Sequence, residues 1–352
     1  MRYVLIAGLL LLAATAWFVF DLLRAGGAFK TIEPHFAGTC REIDGVTGAE
    51  DIVFDPVLGY AWISAQTRRI ELSVLRPRGG IWGFDPATER GAPVELSQDY
   101  SGELHPHGID LGDDGEGGRR LFVVNHPGKG HSIELFDVAV SSGRLAHVRT
   151  LEGPLLVAPN DVAAVGPESF YVTNSTGGET GWEADLVTWL RLPRGNVLYY
   201  DGATFRVVAD RLAYANGVAV SRDGATVYVA ETLTGRLHVY DRDAATGALA
   251  ERAVIETGSG IDNISLDAAG RLWIGAHPKL LAFAAHAEDA DARSPSQVLV
   301  VTPGAAGDAR VEEVYLDDGR QLSGSAVAAR WRDHLLIGPV FERHFLACRL
   351  PE

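Results

Sequence analysis

Only two cysteines and one methionine occur in the 352 residues, and lysine plus arginine (31) fall short of aspartate plus glutamate (46). The resulting formal net charge of -15 leaves no basic stripe to neutralise phosphates, which argues against nucleic acid as a partner. Two cysteines cannot build a cysteine-rich zinc site. Also missing are a Gly-x-Ser-x-Gly elbow, a Gly-Lys-Ser/Thr phosphate loop and a His-Glu-x-x-His zinc motif, so those three catalytic layouts find no support. Glycine, in contrast, is abundant: forty residues, set between short strand-like apolar runs, point to turn-rich β structure over helices. At 47% hydrophobic the chain is long enough to bury a substantial core. An acidic surface also suits a protein that gathers carboxylates around bound cations.

Residues Tyr3 to Phe20 form a continuous apolar stretch, close to the ~20 residues that one membrane span requires. Residues 1–25 are therefore read as a signal anchor, with 26–352 as a separate body held on the periplasmic or extracellular side. A cleaved signal peptide is the rival, with Ala14-Thr15-Ala16 as its cleavage site, but apolar residues continue past it through Trp17 and Phe20. In an exported chain Cys40 and Cys348 are expected to form a disulfide, although two unrelated thiols would fit the same count.

One unit recurs along the body: a small or polar lead-in, a short apolar strand, a turn and a second strand. It begins near Gly48, His105, Ala158, Tyr214, Gly260 and Leu322, at intervals of roughly 45–60 residues, enough for a four-stranded blade each. Six such units predict an all-β six-bladed propeller. The cysteines flank the first and last units, where a ring would close.

A propeller brings equivalent positions of each blade around one tunnel. The lead-ins carry Glu50-Asp51, His107-Gly108, Asn160-Asp161, Asn216-Gly217 and Asp262-Asn263, nearly all with oxygen side chains. Hard oxygens without thiolates suit calcium. Neighbours on an extended chain point in opposite directions, so adjacent pairs can serve one ion at the tunnel mouth and another deeper in. Glu50 with Asp262, and Asp51 with Asp161, would balance the charge of two Ca²⁺. Taken singly, each pair also reads as turn chemistry, and Gly217 in particular reads as a tight bend; recurrence at one blade position favours the ligand reading.

With these residues in place, the body resembles the serum paraoxonase/arylesterase family from Cys40 to Cys348, through "GAED", "HPHGID", "FVVNHPG", "NDVAAVGPESFYVTN", "ANGVAVS", "IDNIS", "LWIGAHP" and "LLIGPVF". The resemblance implies a six-bladed propeller with two calcium ions in its tunnel. It matches Glu50, Asn160, Asn216, Asp262 and Asn263 to the ligands of a catalytic calcium. Asp51 and Asp161, with the Ile109 carbonyl, match those of a structural calcium, and Cys40 and Cys348 match the family disulfide. His107 and His126 match an active-site histidine pair. The implied activity is hydrolysis of lactones and aryl esters and, less consistently, of phosphotriesters. His107 or Glu50 would activate water, and His277 is a further pocket candidate.

The loops depart from the family pattern. Trp182, Leu186, Trp189 and Leu190 could form an apolar edge that touches substrate or membrane through segment 182–192, or they could be core residues of an inserted helix. Gln66-Thr67-Arg68-Arg69 is more charged than an apolar substrate wall would suggest. Two other readings remain: another propeller hydrolase such as a sugar lactonase, and a non-catalytic, membrane-tethered propeller that uses calcium only for stability. The second would not need the mouth oxygens or His107.

Overall fold

The computed structural model describes residues 2–69, 77–88, 91–139, 144–304 and 308–351. Six antiparallel sheets form six blades in chain order. The innermost strands are Ala49–Phe54, Pro106–Asp113, Pro159–Ala164, Ala215–Val220, Gly260–Leu266 and Ser325–Trp331. Short turns join each to the next strand outward, which keeps successive strands paired in the same sheet. The fifth blade carries a fifth strand, His35–Phe36, along its outer edge.

Every blade buries both faces, because each packs against two neighbours. Six apolar clusters result, one at each junction. Phe122, Val124 and Leu135 of the second blade, for example, meet Phe170, Val172 and Leu198 of the third. The last junction joins Ile52 and Ile63 of the first blade to Val327 and Leu336 of the sixth. Exposed edges are few in such a ring, since the radial arrangement covers the sheet faces.

The final blade is completed by the N-terminal strand Thr39–Asp44, which pairs with His344–Arg349. Cys40 lies directly opposite Cys348 in that pairing, and a disulfide links them. The bond spans 308 residues of sequence.

At the innermost strands of the first five blades the ladder breaks register at the lead-in residues. The breaks fall between Ala49 and Asp51, Pro106 and Ile109, Pro159 and Val162, Ala215 and Val218, and Ile261 and Ile264. A bulge of this kind releases residues from the ladder and re-aims their side chains. Glu50 and the pairs His107-Gly108, Asn160-Asp161, Asn216-Gly217 and Asp262-Asn263 are therefore the residues released from the ladder, while Asp51 stays opposite Ser64 and the apolar residues that follow keep their pairing.

The tight bend read from Gly217 is corrected. Its backbone is absent from the left-handed glycines and lies within strand Ala215–Val220. A Cβ there would come within 2.5 Å of the Asp262 carbonyl oxygen and 2.8 Å of Asn263 Cα. Glycine is needed for clearance between neighbouring bulges. Gly108 does the same against Asp161.

Three helices lie at one end of the tunnel: α1 (Arg2–Ala25), α2 (Trp182–Trp189) and α3 (Leu280–Glu288). Residues Leu5–Ala25 of α1 have a mean hydropathy of 2.2 and are long enough to cross a membrane. The end of α1 docks on the body: Asp21 forms an ion pair with Arg191, and the Leu281 amide donates to the Gly26 carbonyl.

Candidate functional site

The bulges divide their side chains between two levels. Glu50, Asn160, Asn216 and Asp262 line a cavity of about 270 Å³ at the helix-covered end. Asp51, Asp161 and Ile109 line a second cavity at the opposite end. Adjacent residues thus face different chambers, the geometric result of strand alternation.

At the upper level, all five mouth residues are buried. Among the described residues, Asn160 Oδ1, Asn216 Oδ1, Asp262 Oδ1 and Asn263 Oδ1 are buried with no hydrogen-bond partner in the protein. Buried oxygens left this way are costly, yet here four occur on one set of lead-ins. The other polar side-chain atom of Asn216, Asp262 and Asn263 is engaged. The Asn216 amide donates to Thr232 Oγ1 at 3.1 Å, and His277 Nε2 lies 2.9 Å from Asp262 Oδ2. These contacts orient three of the four groups, and all four leave one oxygen uncommitted, so the set could hold a hard cation. No group of three or more His, Cys, Asp or Glu side chains forms a metal cluster among the described residues; the five oxygen-bearing groups here are two carboxylates and three amides.

Glu50 is the hub of the mouth. Its carboxylate accepts from Asn263 Nδ2 (3.0 Å) and Arg68 Nη2 (3.3 Å), and His107 Nε2 lies 3.3 Å from Oε1. Burial pushes its carboxyl up, but His107 and Arg68 outweigh burial and hold it down at about 2. Arg68 also donates to the carbonyls of Gly48 and Pro106. Arg69 lies over Phe341 and donates to the His286 carbonyl. The charges of this loop are thus directed into the protein. The pocket walls are instead apolar, with Leu233, Leu280, Phe283 and Val340.

The lower chamber holds two buried carboxylates. Asp51 accepts the amides of Ile52 and Ile109, and Asp161 those of Val162 and Val218, so each latches its blade to the next. Burial, and then the charge of a neighbouring carboxylate, push both well above the ordinary carboxylate range. Ile109 reaches Asp51 through its N–H. A third carboxylate, Asp110, lines the same chamber, and burial raises it to about 6.

His107 stands beside Glu50, and its Nδ1 lies 3.0 Å from His126 Nε2. The two rings meet edge to face. His277 is fully inside, stacked on Phe283 at 3.7 Å between centroids. Trp182, Leu186, Trp189 and Leu190 are exposed, so the choice between surface edge and inserted core falls to the edge; in α2 itself only Val187 is buried.

Several contributors are not among the residues singled out from the sequence. Tyr214 lines the mouth with a left-handed backbone (φ 71°), and burial raises its hydroxyl to about 12. Leu22, Ala25 and Gly26 at the end of α1 form part of the same pocket wall. His131 extends the histidine pair. A positive-φ requirement cannot be read from a tyrosine, and no local pattern reveals that a terminal helix will cover a tunnel.

Histidines and uncapped oxygens meeting in a pocket large enough for a small molecule define the chain as a β-propeller hydrolase. It belongs to the arylesterase family, whose sequence profile matches residues 85–350. Serum paraoxonase/arylesterase 1 of Rattus norvegicus is 34% identical over 332 residues, covering 92% of each chain. The Homo sapiens protein of that name is 33% identical over 331 residues, again covering 92% of each. Among solved structures, a gluconolactonase from Xanthomonas campestris superimposes with a TM-score of 0.53 at 16% identity, covering 92% of this chain and 99% of that one. The calcium-binding protein regucalcin from Agrobacterium tumefaciens gives 0.52 at 16% identity, covering 90% and 96%. At these identities the structural likeness is one of fold.

Proposed function

We propose that this chain is a calcium-dependent hydrolase of lactones and aryl esters, with phosphotriesters as weaker substrates. The observation that carries the reading is the set of four buried, unpartnered oxygens on Asn160, Asn216, Asp262 and Asn263, gathered beside Glu50. These five residues would hold a catalytic Ca²⁺, which when bound supplies a positive centre for the substrate carbonyl or phosphoryl oxygen. Asp51 and Asp161, with the Ile109 carbonyl, would hold a second, structural Ca²⁺; their burial, with backbone amides and, among the described residues, no cationic side chain in an ion pair with them, supports that assignment.

The protein's own groups complete the chemistry. His107, on the rim and partly exposed, accepts a proton from water at Nε2, while His126 holds its Nδ1. Glu50 is the rival base, but its carboxylate is already shared by Asn263, Arg68 and His107. Apolar walls seat an acyl chain or aromatic ring, which disfavours the sugar-lactonase alternative. The histidine pair has no evident task in a purely structural propeller.

The exposed apolar faces of α1 and α2 support attachment to a membrane, with 1–25 as anchor and 26–352 as the hydrolase body on the periplasmic or extracellular side. The ion pair of Asp21 with Arg191 and the pocket contacts of Leu22 favour retention of the anchor over cleavage.

The test is hydrolysis of δ-valerolactone and phenyl acetate by calcium-loaded and chelated protein. Activity should vanish with chelation and return with calcium; full activity after chelation would sink the proposal. A His107→Gln variant that retains normal turnover would transfer the base role to Glu50.

A further inference from the structure

Residues released from the ladder need another hold, and in three successive blades it is the last side chain of the second strand. Asn125, closing strand Arg119–Asn125, accepts the His105 amide at 2.7 Å. Asn174, closing Phe170–Asn174, accepts the amides of Val157 and Ala158 at 3.1 and 3.0 Å. Glu231, closing Thr226–Glu231, accepts the Ala213 amide at 2.6 Å. Each of these amides lies two or three residues before His107, Asn160 or Asn216.

Glu231 has the most demanding segment to hold. The chain turns from strand Phe205–Leu212 into strand Ala215–Val220 through Arg211 and Tyr214, both left-handed (φ 63° and 71°) and neither a glycine. Such backbones are costly and persist only where their surroundings fix them. Here the fixing comes from two adjacent residues. Beside the Glu231 carboxylate, the Thr232 amide donates to the Tyr214 carbonyl at 3.1 Å, and Thr232 Oγ1 accepts from Asn216 Nδ2 at 3.1 Å. Thr232 Oγ1 in turn donates to the Ile261 carbonyl at 2.7 Å. Glu231 is itself buried and secured from behind: its Oε2 lies 2.8 Å from His238 Nε2, and His238 Nδ1 lies 2.7 Å from Glu251 Oε1. The lead-in is therefore tied to a carboxylate that has no freedom to follow it, and Asn216 Oδ1 is left buried and unpartnered.

We propose that Glu231 is a positioning residue: by holding the Ala213 amide it keeps the strained turn in place and fixes Asn216 Oδ1 in the tunnel mouth before any ion arrives. It acts through the backbone, since Thr232 and Leu233 line the pocket and Glu231 does not. The calcium part of this inference rests on the reading of Asn216 as a ligand; the hold on the turn does not.

The test titrates calcium into chelated full-length protein by calorimetry and reads amide hydrogen exchange over Arg211–Gly217 in the same samples. The mouth site is the binding step lost in Asn216→Ala. In Glu231→Ala that step should weaken by about 10–100-fold, the range for groups that support a metal ligand, while the other step is unchanged. The Arg211–Gly217 amides should lose their protection. Glu231→Gln keeps an oxygen that accepts the Ala213 amide, so it should retain the protection and an affinity within about threefold of the unaltered protein. Glu231→Asp, which withdraws the oxygen by one methylene but keeps the charge, should follow the Ala variant and replaces it if the Ala variant does not fold. Unchanged mouth affinity or unchanged protection in the Ala or Asp variant, or a Gln variant as impaired as they are, would each overturn the proposal. If Asn216→Ala removes no binding step, the calcium reading fails, and the exchange data alone uphold or overturn the hold on the turn.

Discussion

The Asn263 side-chain amide donates to both the backbone oxygen and Oε1 of Glu50, at 2.9 and 3.0 Å, across 213 positions of sequence. One side chain thus ties the fifth blade to the first and presents its own oxygen, unpartnered, to the tunnel. Asn263→Ala removes both the tie and the oxygen. Turnover of phenyl acetate should fall by about 100-fold, at the upper end of losses seen when a metal site's supporting groups are removed. A variant that melts earlier but hydrolyses normally would reduce Asn263 to a structural bracket.

The two chambers make separable predictions for calcium. Calcium added to chelated protein should raise the melting temperature, with a stabilisation of about 2.7 kcal/mol at 100 times Kd for one site. Asp161→Asn should lose much of that gain. Asn216→Ala should keep most of it and lose activity. The opposite pattern, measured by scanning calorimetry alongside hydrolysis, would exchange the roles assigned to the chambers.

The Cys40–Cys348 bond closes a loop of 308 residues, for which chain entropy gives about 6 kcal/mol and removal of native bonds costs about 2–5 kcal/mol. Cys40→Ser with Cys348→Ser should therefore shift the urea midpoint clearly downward. Activity at low temperature should survive, because the bond lies in the outer strands of the last blade, away from the tunnel. An unchanged midpoint would show that strand pairing alone secures the ring.

Asp267 accepts from the Trp273 indole (3.0 Å), Arg271 (2.8 Å) and Arg330 (3.0 Å). Burial raises its carboxyl, but the Trp273 indole, the backbone amides of Arg271 and Ala269 and the Arg271 side chain outweigh burial and hold it below its ordinary value. A depressed folded value means that the unfolded chain binds protons first as the solution is acidified. The stabilisation is complete above the ordinary carboxylate pKa of about 3.9 and is lost as pH falls through the folded value. Between about pH 5 and pH 2 the unaltered protein should lose more stability than Asp267→Asn, in chemical-denaturation curves at each pH. Parallel curves would remove Asp267 from the acid response.

The ring and its oxygen-bearing positions were legible because they repeat. The lead-in pairs stand before alternating apolar residues in successive units, and the bulges place them where the repeat put them. What could not be read depends on contacts between units. Gly217 looks like a turn glycine, yet its requirement comes from Asn263, nearly fifty positions later. Arg68 sits in a charged loop, and only folding shows that it supports Glu50. The fifth strand of blade five, His35–Phe36, is too short to carry a pattern. His131 is one histidine among eleven until the chain folds it against His126.

The strand Thr39–Asp44 emerges early in synthesis, but its partner His344–Arg349 emerges almost last. Five blades can assemble while the sixth waits, with its outer position vacant and its cysteine unpaired. Completion of the last blade and oxidation are therefore terminal events in the birth of the molecule, and a nascent chain stalled before residue 344 would hold a ring without its clasp. Its inner strand Ser325–Trp331, the neighbour of the bulge that carries Glu50, would already be made, and only the outer pair of strands and the covalent clasp would be missing.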